Sequence, residues 1–180
     1  MLIAQISDLH VGGADVAAFY HLDTRLALRA AVDRVNAISP IPDACLVSGD
    51  IVENGTLEEY RLARAELDRL TMPWYAIPGN HDAREPMREG FAGGASRFED
   101  GDFPHYAIEA HPLRIIALDS VVAGRTHGKL CTARMAWMEA ALAQQPSRPT
   151  LLMRHHPPLA TRQPAVDGVC LAHRDDFAAL

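Results

Sequence analysis

Three features are missing from this 180-residue sequence, and each absence excludes a class of protein. No apolar run approaches the roughly 18 residues that a membrane-spanning helix needs, so we expect no membrane partner. The formal net charge is −6, whereas nucleic-acid binding needs a basic surface, so we expect no nucleic-acid partner. No basic segment followed by an apolar stretch comes after Met1, so we expect no secretory signal and a cytoplasmic location.

Cysteine is also scarce. The three cysteines, Cys45, Cys131 and Cys170, are far apart and form no Cys-x-x-Cys pair. This pattern favours reduced thiols over a disulfide framework or a zinc–thiolate site. The sequence does contain 48% hydrophobic residues, which is enough for a buried core, so we expect a single domain over residues 1–180.

Apolar runs typical of strands alternate with segments of helical period, which predicts a layered α/β fold. Strands are predicted at 2–6, 44–47, 74–77, 105–109, 114–118 and 150–153. Helices are predicted at about 23–38, at about 57–70, from 132 onward and at 170–180, with a loop or short helix within 84–101. Leu26, Ala30 and Val35 are expected on the buried face of the first helix. A capping box, with Thr56 and Glu59 as its two partners, predicts the start of the second helix.

Four predicted strands end in side chains that can bind a metal ion. The segments are Ser7-Asp8-Leu9-His10, Ser48-Gly49-Asp50, Pro78-Gly79-Asn80-His81-Asp82 and His155-His156-Pro157-Pro158. In open α/β sheets, ligands bind at the edge formed by the carboxyl ends of the strands. We therefore expect these segments to build one metal site from distant parts of the chain.

The residue types at these strand ends indicate the chemistry. Asp8 and His10 are two residues apart, so on an extended segment they project to the same side and can bind one ion. The two carboxylate oxygens of Asp50 can bridge two ions. Carboxylate, imidazole and amide ligands without a thiolate favour Mn, Fe, Zn or Co. Two such ions roughly 3.5–4 Å apart form the clamp used in phosphoryl displacement, in which a nearby imidazole such as His81 can assist.

In this order, the four motifs resemble those of the calcineurin-like metallophosphoesterases. The similarity is greatest to the bacterial class III cyclic-nucleotide phosphodiesterases and glycerophosphodiesterases. The resemblance implies an αββα sandwich with two divalent or trivalent transition-metal ions, and His81 as the catalytic imidazole. The ligands that it implies are Asp8, His10 and Asp50 for one ion, and Asp50, Asn80 and His155 for the other.

One family motif has no counterpart in this sequence. The family supplies two further histidines from a Gly-His-x-His segment near its C-terminus, and the segment 170–173, Cys-Leu-Ala-His, does not match it. We therefore expect the chain to lack the C-terminal part of the αββα sandwich, to need a partner, or to have an incomplete site. With three protein ligands for each ion, weaker metal binding is expected.

The resemblance implies a metal-dependent phosphodiesterase that hydrolyses small phosphodiesters, either cyclic nucleotides or glycerophosphodiesters, with a metal-activated hydroxide. Two alternatives stay open: a phosphomonoesterase, and a catalytically disabled scaffold or fragment that keeps the fold. The small-molecule phosphodiester is the expected partner, and a homo-oligomer is compatible with the resemblance.

Polar residues near the motifs are expected to support the site rather than to bind metal. Asp82 is expected to orient His81 or to accept hydrogen bonds from the backbone amides of its turn. Asp119 is expected to be a hydrogen-bonding support. For His156, a role near the substrate and a purely structural role are both open. Glu53 is interpreted as part of a loop, without a functional assignment.

Overall fold

A computed structural model describes residues 1–16, 21–96, 98–159, 162–172 and 177. The strands are β1 (Ile3–Ile6), β2 (Ala44–Ser48), β3 (Trp74–Ile77), β4 (Tyr106–Ile108), β5 (Arg114–Ala117), β6 (Gly128–Lys129), β7 (Thr150–Met153) and β8 (Leu171–Ala172). The helices are α1 (Thr24–Asn36), α2 (Leu57–Leu67), α3 (Arg84–Gly90), α4 (Thr132–Gln144) and α5 (Pro164–Asp167). Among these described helices, none is long and apolar enough to cross a membrane.

The strands form two main sheets. The first has the order β1-β2-β3 and is parallel throughout, with Ile3 opposite Ala44 and Cys45 opposite Trp74. The second has the order β4-β5-β7, in which β5 is antiparallel to β4 and parallel to β7. The short strands β6 and β8 form a separate parallel pair.

Alternating side chains of β2 and β3 separate two layers of the core. Cys45 and Val47 of β2 face a cluster that includes residues of α1 and α2, such as Val32 and Leu67. The side chain of Leu46, between them, faces the second sheet. This period of two is expected for a strand that is buried on both faces.

The second sheet repeats the arrangement. Ile115 and Ala117 of β5 pack against the first sheet, whereas Ile116 packs with Met138 and Ala141 of α4. The layers therefore run helix, sheet, sheet, helix. This confirms the predicted α/β class and the αββα sandwich.

The helices show one correct and one wrong prediction. The capping box at the start of α2 is confirmed, because Thr56 Oγ1 accepts a hydrogen bond from the Glu59 amide and Glu59 Oε2 accepts one from the Thr56 amide. The predicted buried face of α1 is wrong for Leu26 and Ala30, which are exposed. The buried residues of α1 are Thr24, Leu28, Val32 and Val35.

The C-terminal prediction of a helix is also wrong for residues 170–172, although Phe177 is helical as predicted. Leu171 and Ala172 form β8, paired with β6, instead of beginning a helix at 170–180. Pairing with β6 satisfies backbone groups that a helix would have bonded internally. Residues 173–176 and 178–180, including His173, lie outside the described residues.

Candidate metal centre

Backbone pairing continues past the ends of β1 and β2 and brings their loops together. The Asp8 amide donates to the Gly49 carbonyl at 3.1 Å, and the His10 amide donates to the Asp50 carbonyl at 3.0 Å. Asp8, His10 and Asp50 have φ values of 56°, 44° and 48°, in the left-handed region that non-glycine residues rarely adopt. Such conformations concentrate at functional sites, where the surrounding hydrogen bonds hold them.

Two glycines allow the close approach of the neighbouring loops. A Cβ atom at Gly79 would lie 2.3 Å from the Asp50 backbone nitrogen, and one at Gly49 would lie 2.7 Å from the His155 ring. The His81 amide donates to Asp50 Oδ1 at 2.9 Å. The Pro-Gly turn after β3 is therefore held directly against the Asp50 carboxylate.

His155 approaches Asp50 from the second sheet. Its Nδ1 donates to the Ser48 carbonyl at 2.9 Å, and its Nε2 lies 3.5 Å from Asp50 Oδ2. Since a carbonyl can only accept, the proton of the neutral ring is on Nδ1 and the Nε2 lone pair is free to bind a metal ion. Ligand atoms of Asp8, Asp50 and His155 all lie within 4.8 Å of one another.

The charge states of this group suit a cation. Burial alone would raise the pKa of Asp50, but the neighbouring His155 ring and the hydrogen bond from the His81 amide outweigh it and lower that pKa. Burial alone would lower the pKa of His155, but the neighbouring Asp50 carboxylate outweighs it and raises that pKa. Asp50 is therefore ionised near neutral pH and can compensate the charge of a bound metal ion.

A second group contains a residue that the sequence analysis missed. Ligand atoms of His10, Glu53 and His81 also lie within 4.8 Å of one another. Glu53 Oε2 lies 2.7 Å from His10 Nδ1, while His10 Nε2 lies 3.9 Å from Asp50 Oδ2. A carboxylate on one ring nitrogen of a histidine orients the other nitrogen towards a metal ion.

Glu53 also contacts the proposed catalytic imidazole. His81 Nδ1 lies 3.0 Å from the Glu53 backbone carbonyl and 3.5 Å from Glu53 Oε2. The rings of His10 and His81 meet edge to face, with centroids 4.8 Å apart. The sequence signal for Glu53 was its position three residues after Asp50, but its partner His10 lies 43 residues away in sequence.

All the predicted site residues line one cavity of about 530 Å³. The predicted residues in its wall are Asp8, His10, Asp50, Asn80, His81 and His155. The other described residues of the lining are Ser7, Thr126, His156, Pro157 and Val169. The structure thus brings together these six predicted site residues, while their individual roles stay predictions.

Asp82 supports the turn below the site. Its carboxylate accepts hydrogen bonds from the amides of Gly79 and Ile51 and from the Tyr60 hydroxyl, at 2.8, 3.1 and 2.8 Å. Burial raises the pKa of Asp82 to about 6, against the lowering effect of these hydrogen bonds. Of the two roles expected for Asp82, the contacts favour satisfying the backbone amides.

Asp119 and His156 are buried next to the site. Asp119 accepts hydrogen bonds from Arg84 Nε at 2.6 Å and from the Val121 amide at 2.7 Å, in agreement with the predicted supporting role. His156 Nδ1 lies 2.7 Å from Ser120 Oγ. Burial lowers the pKa of His156 to about 4, so its ring is neutral near pH 7.

Comparison with known proteins agrees with this geometry. The sequence profile of the calcineurin-like phosphoesterases matches residues 1–178. The chain belongs to this family. The resemblance stated from the motifs is therefore confirmed, and membership of this family implies divalent metal ions.

Several curated relatives have names that specify a reaction. The chain is 37% identical over 159 residues to a probable glycerophosphodiester phosphodiesterase GpdQ of Arcobacter nitrofigilis, covering 88% of this chain and 58% of the relative. It is 34% identical to the glycerophosphodiester phosphodiesterase GpdQ of Enterobacter lignolyticus, covering 100% and 65%. It is 30% identical to the 3',5'-cyclic adenosine monophosphate phosphodiesterase CpdA of Pseudomonas aeruginosa, covering 95% and 60%. The chain thus spans less than two thirds of the length of these relatives.

A solved structure supports the fold. The phosphopantetheinyl hydrolase PptH of Mycobacterium tuberculosis superposes with a TM-score of 0.62 at 18% identity, covering 98% of this chain and 77% of that protein. At this identity the likeness concerns the fold alone.

Proposed function

We propose that the chain is a metal-dependent phosphodiesterase that acts on small phosphodiesters, in the class of cyclic nucleotides or glycerophosphodiesters. The observation that carries the proposal is the convergence of two imidazoles on one carboxylate. Nε2 of His10 and Nε2 of His155 both face Asp50 Oδ2, while both Nδ1 atoms are held by other acceptors. The names of the relatives support a diester as the substrate.

The residues present fit a pair of transition-metal ions. The assignment is Asp8, His10 and Asp50 for one ion, and Asp50, Asn80 and His155 for the other. Their carboxylate, imidazole and amide donors suit Mn, Fe, Zn or Co. When bound, such ions polarise phosphoryl oxygens and make a water molecule more acidic at neutral pH.

His81 is the residue proposed to act on the substrate directly. Its Nδ1 donates to the Glu53 carbonyl, so Nε2 is the atom left to contact a phosphoryl oxygen. His81 lines the cavity, and about a third of its side chain (34%) is exposed. With Nε2 protonated as well, the ring can donate a hydrogen bond to a phosphoryl oxygen and stabilise the charge that develops there.

Glu53 is proposed as a positioning residue for this chemistry. Its carboxylate contacts His10 and its backbone carbonyl contacts His81, so it fixes both rings relative to each other.

We also propose that the chain acts in the cytoplasm. All three cysteines are free thiols, which is compatible with a reducing compartment.

The proposal is tested by hydrolysis of bis(4-nitrophenyl) phosphate by the 180-residue chain with added Mn²⁺. We expect turnover that is abolished by EDTA and restored by excess Mn²⁺. The matched control is 4-nitrophenyl phosphate, a monoester with the same leaving group, on which slower turnover is expected. Faster turnover of the monoester would favour a phosphomonoesterase, and a folded chain without turnover of either substrate would contradict the proposal.

A further inference from the structure

A second cavity lies beside the metal centre, on the side of α1. Two residues of the metal-centre cavity, Asp8 and His10, line it as well. Among the described residues, the rest of its wall consists of Leu9, Leu22, Thr24, Ala27, Leu28 and Ala31. We call this cavity, of about 350 Å³, the α1 groove.

Outside the metal centre, the described wall of the α1 groove offers almost no polar group to a ligand. Apart from Asp8 and His10, its described wall carries no ionisable side chain. Thr24 is only 7% exposed, so its hydroxyl contributes little surface. Leu22, in contrast, is 55% exposed, which leaves a large apolar side chain at the groove in contact with water.

This composition makes the groove unfavourable for polar groups and favourable for hydrocarbon. A glycerol or sugar hydroxyl moved from water into an apolar wall loses hydrogen bonds that nothing there replaces. An alkyl or aryl group gains by leaving water, in proportion to the area that it buries. At about 350 Å³, the groove lies near the lower end of the size range of small-molecule sites, so it has room for a small substituent.

The position of the groove determines which substituent can reach it. An acyclic phosphodiester carries two separate ester arms, and the groove begins at two proposed metal ligands, Asp8 and His10. We propose that the α1 groove binds one apolar ester arm of the substrate, an alkyl or aryl group. This inference rests on the proposed function and narrows it to diesters with one apolar arm, in preference to diesters with two polar arms.

The test compares two inhibitors that differ only in their apolar arm. Methylphosphonate and n-hexylphosphonate present the same phosphonate group to the Mn²⁺-loaded chain, and calorimetry measures the dissociation constant of each. We expect n-hexylphosphonate to bind at least about tenfold more tightly, because part of its hydrocarbon chain is removed from water.

Substitutions on α1 localise the effect. Ala27→Phe places a phenyl ring in the groove and should reduce the preference for the hexyl arm to within about twofold. Ala30→Phe is the matched control, because Ala30 is exposed on the same helix but does not line the groove. Leu22→Ser, at an exposed wall position, should also weaken the preference without filling the groove.

The outcomes separate this inference from the proposed function. Turnover of bis(4-nitrophenyl) phosphate without a preference for the hexyl arm would overturn the groove assignment and leave the phosphodiesterase proposal intact. A hexyl preference lost in Ala27→Phe, in a chain without turnover, would support the groove and contradict the phosphodiesterase. An equal loss of preference in Ala30→Phe, or binding of neither phosphonate, would overturn the groove assignment.

Discussion

The two sheets contribute to the metal centre in different ways. The loops after β1, β2 and β3 carry all the proposed site residues except His155, which follows β7 of the second sheet. The first-sheet loops are tied together by their own hydrogen bonds: the Asp8 amide donates to the Gly49 carbonyl, and the His81 amide donates to the Asp50 carboxylate. His155 joins them through its bond to the Ser48 carbonyl.

This difference indicates what positions each ligand. The proposed ligands that follow strands of the first sheet are placed by contacts within the loops themselves. The position of His155 depends in addition on how the two sheets pack, since Met153, two residues earlier, belongs to the core between them. The site should therefore be sensitive to inter-sheet packing at His155 and to local hydrogen bonds elsewhere.

The largest effect is expected for the local contacts of the first-sheet loops. Glu53→Gln removes the charge that holds His10 Nδ1 and should lower kcat/KM for bis(4-nitrophenyl) phosphate about 10- to 100-fold, as for other partners of metal-binding histidines. Steady-state kinetics at saturating Mn²⁺ measure this change. Glu58→Gln, at an exposed position, is the control; equal kinetics in both variants would show that loop contacts do not set the geometry.

An intermediate effect is expected for inter-sheet packing. Met153→Ala and Leu67→Ala each remove a buried side chain and should each cost about 3 kcal/mol in the free energy of unfolding. Only Met153→Ala should weaken Mn²⁺ binding, by about tenfold, because it loosens the segment that carries His155. Calorimetry at a temperature where both variants are folded measures the Mn²⁺ affinity of each. Equal affinities would contradict the inference that the position of His155 depends on the packing of the two sheets.

The smallest effect on the site is expected for a substitution at Glu66 of α2, which lies away from the metal-centre cavity. Glu66, with 1% of its side chain exposed, accepts hydrogen bonds from Arg29, Arg25 and Arg69, and none of these residues lines the metal-centre cavity. Hydrogen bonding from Arg29, which outweighs desolvation, lowers the pKa of Glu66 from 4.5 to about 2.

The sign of the pH dependence follows from this lowered pKa. The carboxylate contributes stability above the unfolded pKa of 4.5, and this contribution is lost as the pH falls towards 2. We expect the melting temperature to fall over this range, and to fall less in Glu66→Gln, whose turnover at pH 7 is unchanged. Thermal melts of both proteins between pH 5 and about pH 2.5 test this. Parallel curves of melting temperature against pH for the unmodified chain and Glu66→Gln would contradict it.

Much of the site could be predicted from sequence because its residues directly follow apolar runs. Asp8, Asp50 and Asn80 each lie within three residues of a strand end, and parallel strands bring such ends together. Glu53 could not be assigned, because its role depends on His10, which approaches only when β1 and β2 pair.

The fold shows the same limit. The capping box of α2 is local and was predicted correctly. The buried face of α1 was not, since Leu26 and Leu28 are equally apolar and only the position of the first sheet decides between them. Strand β8 was missed because its two residues become a strand only by pairing with β6, more than 40 residues earlier in the sequence.

The most direct test of the metal centre measures Mn²⁺ binding by calorimetry in three proteins: the unmodified chain, Asp50→Asn and His155→Ala. If Asp50 bridges two ions and His155 binds one of them, Asp50→Asn should lose both binding events, whereas His155→Ala should lose one and keep the other. Circular dichroism confirms that the variants are folded. Unchanged Mn²⁺ binding in Asp50→Asn would contradict a metal centre built around this carboxylate.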